Sequence, residues 1–149
     1  MEDLWGFHKE DLRCSNSEAI SILKDQADLL SRKTDGVLKG KLKNNVLSEE
    51  VFERTGHYNL ETVLEVVVPS LDNYRSALVY VYSNAEKNFP VRLSVKKLNR
   101  ERLDEPCKPC NRKLTAENED EFVEILKELL GSPAVNETIR ILYQKAWVD

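Results

Sequence analysis

Few residues in this 149-residue chain have side chains suited to nucleophilic, redox or metal chemistry: three cysteines (Cys14, Cys107, Cys110) and two histidines (His8, His57). Cys107 and Cys110 form a lone C-x-x-C, a spacing that lets two thiolates reach one metal ion. A structural zinc then needs two more ligands, and the chain offers Cys14, His8 and His57 for them. A dithiol/disulfide role instead needs Cys107 at the start of a helix after a strand, where the helix N-terminus lowers a thiol pKa. The surrounding Asn99 to Lys113 is polar and contains Pro106 and Pro109, so it reads as a long connection carrying two thiols. No metal ligand set is assigned; Cys107 and Cys110 stand as its candidates.

General acid–base or nucleophilic catalysis needs a base, an orienting partner and a nucleophile converging on one pocket. His57 and Glu61 would share a helical face, but the β-branched run from Leu60 onward predicts a strand. The chain lacks G-x-S-x-G, H-E-x-x-H and any glycine-rich phosphate loop, and it has five glycines in all. The reading therefore leans away from an enzyme, and no catalytic residue or cofactor is assigned.

A second constellation is built for binding. Strict alternation over Tyr74 to Tyr82 puts Tyr74, Tyr80 and Tyr82 on one side of a strand, and Arg92 and Lys96 alternate on the next. If these five residues share an exposed sheet face, they supply cations and aromatic platforms for single-stranded nucleic acid. The same tyrosines suit a protein contact, since each combines apolar area with a hydroxyl that tolerates water. They could also pack beneath the C-terminal helices. Charge is segregated: residues 86–113 hold nine Lys/Arg against four Asp/Glu, and residues 114–137 hold one against seven, within a net charge of -4. Trp5, Phe7 and Trp147 read as terminal anchors onto the core.

The elements that must position these groups follow from periodicity. A helix is predicted over Ser15 to Gly36, capped by Ser15 or Ser17, with Ile20, Leu23, Ala27 and Leu30 on its core stripe. Val37 to Lys43 alternates Leu38 and Leu42 with Lys39, Lys41 and Lys43, a pattern suited to a sheet edge. Ser48 to Arg54 reads as a short capped helix ending near Gly56. Strands are expected at Leu60 to Val68, at Tyr74 to Tyr82 and, with one wet face, at Val91 to Lys96. Asn118 with Glu121 forms a capping box, and Ser132-Pro133 restarts a last helix. The order α-β-β-β-β-α-α predicts a single α+β domain over residues 1–149: an antiparallel sheet of about four strands covered on one face by helices.

The segments Ile22 to Gly40 and Pro69-Ser70-Leu71-Asp72-Asn73-Tyr74-Arg75 resemble a group of short, functionally uncharacterised bacterial proteins with the same helix–strand opening and a P-x-L-D-N-Y-R-like turn. The resemblance implies a bacterial cytosolic protein of α+β fold and transfers no site residue. No secretory signal or membrane span is legible, and three cysteines do not make a disulfide framework, so a cytoplasmic protein is expected. The expected activity is binding another protein. Single-stranded nucleic-acid binding and a zinc-stabilised module are the alternatives.

Overall fold

The computed structural model describes residues 1–6, 8, 19–55, 58–98 and 114–147. Helix α1 (Ala19–Lys33) leads into strand β1 (Lys39–Val46), then helix α2 (Glu49–Thr55), strands β2 (Leu60–Val68), β3 (Tyr74–Asn84) and β4 (Lys87–Ser94), a two-residue strand β5 (Thr115–Ala116), and helices α3 (Glu119–Leu130) and α4 (Pro133–Ala146). The sheet is an antiparallel meander in the order β1-β2-β3-β4-β5. The α+β class stands, with one strand more than expected because β5 is too short to show a periodicity.

Local chemistry sets the element ends. The α1 chain reverses through Asp35 and Gly36 at φ of 52° and 80°, and the Gly36 N–H donates to the Ser31 carbonyl at 2.8 Å. Ser48 caps α2 by accepting from the Val51 N–H at 3.3 Å, and Asn118 caps α3 through the Glu121 N–H at 2.9 Å. Ser132 caps α4 just ahead of Pro133 at its first position. A turn of 3-10 helix, Pro69–Leu71, followed by Asp72 and Asn73 at φ of 59° and 58°, reverses the chain between β2 and β3. Ser15 and Ser17, read as caps of the first helix, lie outside the described residues.

Two apolar clusters form on opposite faces of the sheet. The larger joins Leu64, Val66 and Val68 of β2 and Val79 and Val81 of β3 to Leu23 and Ala27 of α1, Phe122 and Leu126 of α3, and Val135 and Leu142 of α4. On the other face, Val51 of α2 with Leu47 and Tyr58 packs against Tyr82, with Tyr80 and Leu98 at the margin. The second face is therefore covered in part by α2, which the expected one-sided arrangement did not include. At Gly40 of β1 the backbone of α1 comes so close that an added Cβ would lie 2.6 Å from the Cα of Ala27. That approach is open only to glycine.

A β-bulge in β3 changes which residues share a face. Leu64 pairs with Val79 but the next residue, Glu65, pairs with Ala77, so Leu78 is the extra residue. Leu78 and Val79 both enter the larger core. Beyond the bulge Tyr74 lies opposite Val68 and Ser76 opposite Val66, on the helix side, whereas Tyr80 and Tyr82 lie opposite Val63 and Glu61 on the α2 side.

Candidate functional site

The bulge corrects the expected tyrosine platform. Tyr74 is 54% exposed and sits on the face opposite Tyr80 and Tyr82, because one extra residue inverts the alternation. Tyr80 is half-buried, and Tyr82 is fully enclosed by the cluster around α2. Arg92 does stand opposite Tyr82, but it is only 5% exposed, and Ser94 beside it is buried too; the wet strand face expected there is covered. Lys96 is exposed but lies beyond the end of β4, where its N–H donates to Ser94 Oγ at 3.1 Å. The five residues therefore form no common exposed surface, and the tyrosines that pack inward do so under α2 rather than under α3 and α4.

The sheet instead brings together a polar row that sequence reading did not assemble. Asn45, Glu61, Tyr82, Arg92 and Thr115 are successive cross-strand partners across all five strands. Glu61 is 1% exposed; its Oε1 accepts from Asn45 Nδ2 at 3.1 Å. The Tyr82 hydroxyl accepts from the Leu98 N–H at 2.9 Å. Burial pushes the Tyr82 phenol well above its ordinary pKa; the Leu98 N–H pulls the other way without cancelling it, and the Glu61 carboxylate adds to the rise. Glu61 Oε2 and Arg92 Nε find no hydrogen-bond partner among the described residues. A neutral phenol far from ionisation is a poor base at neutral pH, and the row is closed to a large substrate. Its chemistry is that of a buried, partly satisfied polar network.

The exposed aromatic surface lies elsewhere. Tyr143 and Trp147, one turn apart at the end of α4, meet edge to face with ring centroids 6.0 Å apart and an interplanar angle of 64°. Trp147 is 64% exposed and Tyr143 37%. Trp147 borders a hollow of about 160 Å³ whose other walls are Gly36, Val37, Pro69, Ser70 and Ala146. Ser70 Oγ donates to the Ala146 carbonyl at 3.3 Å, tying the β2–β3 turn to the end of α4. Trp147 is thus a surface residue where a core anchor was expected, as is Trp5 at 76% exposure; Phe7 lies outside the described residues. Tyr143 was missed because it falls on the outer side of the α4 stripe, and only its spacing of four from Trp147 signalled a pair.

Cys14, Cys107, Cys110 and His57 also lie outside the described residues. Among the described residues no group of three or more His, Cys, Asp or Glu is arranged to hold a metal ion, and no helix is long and apolar enough to cross a membrane. Compared with known protein families, curated proteins and solved structures, the chain finds no match.

Proposed function

We propose that the protein is a non-catalytic module that binds another protein through the surface at the end of α4. The observation that carries this reading is the Tyr143–Trp147 pair standing exposed beside a hollow of about 160 Å³. Tryptophan and tyrosine dominate binding energy where a rigid aromatic anchor meets a small pocket, and the hollow has room for an aliphatic side chain from a partner. Resemblance of the Pro69 to Arg75 turn to bacterial proteins supports a bacterial setting, and the small number of cysteines supports the cytosol.

Cross-linking of the full chain in native lysate, followed by mass spectrometry, tests the surface. A partner captured by the wild type and by Phe52→Ala, which trims a partly exposed ring on α2, should be lost with Trp147→Ala. Equal capture by Trp147→Ala, or no captured partner together with turnover on a substrate panel, would sink the proposal.

A further inference from the structure

Lys39, Lys41 and Lys43 occupy every second residue of β1, the outer strand, and all three are exposed. Between them, Gly40 and Leu42 pair with Val66 and Leu64 on the helix side. The lysines therefore project to the other face, opposite Val67, Glu65 and Val63. Alternation sets them in a straight row at about 6.7 Å intervals. That step is close to the one between phosphates of an extended single strand.

The rest of that face completes a binding surface. Arg75 is exposed and lies across Val67 from Lys39. It neutralises Glu65, the carboxylate within these rungs, at 3.3 Å. Half-buried Tyr80 lies across Val63 from Lys43, two strand spacings or about 9.6 Å away. Val63 and Val67, between the lysines and that ring, are each only 5% exposed, so bases of a backbone tracking the lysines would lie across the side chains covering them, towards Tyr80.

We propose that this face binds single-stranded nucleic acid, with phosphates on Lys39, Lys41 and Lys43 and bases lying inward towards Tyr80. The surface shares Tyr80 with the expected one but takes its cations from β1 rather than from Arg92 and Lys96, and it is separate from the aromatic end of α4. A row of lysines beside an aromatic ring fits the flexible backbone and unpaired bases of a single strand. Edge lysines also discourage sheets from pairing edge to edge. That role alone gives no ligand and no joint dependence on salt and on these side chains.

Fluorescence anisotropy of the full chain with a labelled oligouridylate, across a salt series, decides the matter. For single strands each neutralised phosphate contributes about 0.7 to the slope of log affinity against log salt. Between about 50 and 200 mM salt the wild type should lose about 20-fold more affinity than the variant Lys39→Gln/Lys41→Gln/Lys43→Gln. Lys41→Gln alone should lower the slope by about 0.7, and Lys24→Gln/Lys145→Gln should leave it unchanged. Absence of salt-dependent binding by the wild type, or wild-type affinity in the triple variant, would overturn the proposal. So would tighter binding to polyglutamate or to phosphatidylserine vesicles than to the oligonucleotide.

Discussion

At single positions, packing and titration make separate demands. Gly40→Ala would drive a methyl into the Ala27 backbone of α1, which cannot yield as a flexible side chain can. We expect a loss of about 2–3 kcal/mol in urea unfolding, at the upper end of the usual cost of overpacking. Nothing in the strand pattern distinguished this glycine, because the close approach of α1 is a property of two elements together. Tyr82 carries a pH signature. Its folded pKa is raised, so the folded state holds the proton more tightly than the unfolded chain. The associated stability is fully present below the unfolded value of about 10 and is lost as pH rises from there towards the folded value, at up to about 1.4 kcal/mol per pH unit. Unfolding measured from pH 8 upward should show that fall in the wild type and a shallower one in Tyr82→Phe. At neutral pH Tyr82→Phe should cost about 1–2 kcal/mol, because the Leu98 N–H loses its acceptor.

Among the elements, β3 separates what was legible from what was not. The limits of β2 and the caps Ser48, Asn118 and Ser132 follow from residue types acting within a turn or a strand, and they were readable as such. The bulge at Leu78 has no marker of that kind, since a leucine there also suits unbroken alternation. Its effect reached the candidate site directly by moving Tyr74 to the other face. Burial of Glu61 and Arg92 was equally hidden, because polar side chains on alternating strands read as wet until a helix such as α2 covers them. Deleting Leu78 should preserve both faces and a cooperative transition, at about 2–5 kcal/mol for the lost buried side chain. Deleting Val81, beyond the bulge, should turn Tyr82 into the helix-side core and abolish cooperative unfolding, as followed by circular dichroism in urea.

Across the whole molecule, two local clusters of opposite sign stand on opposite sides of the sheet. Glu119, Asp120 and Glu121 crowd the first turn of α3, where the helix dipole favours them, on the helix-bearing side. Lys39, Lys41 and Lys43 project from the other side. A net charge of -4 thus coexists with a cationic row able to orient an approaching polyanion. The segregation seen in residues 86–113 and 114–137 was visible beforehand, but the lysines now assigned lie earlier in the chain. Their common face depended on the pairing of β1 with β2.

The order of strands in space repeats their order in the chain, so each ladder closes between sequence neighbours. The β2–β3 pair can zip from the Asp72-Asn73 turn outward, and β1 and β4 then add on either flank. Loop-closure entropy is small at each of these steps, which places the chain among mixed folds of modest contact order, faster to assemble than sandwiches built from distant strands.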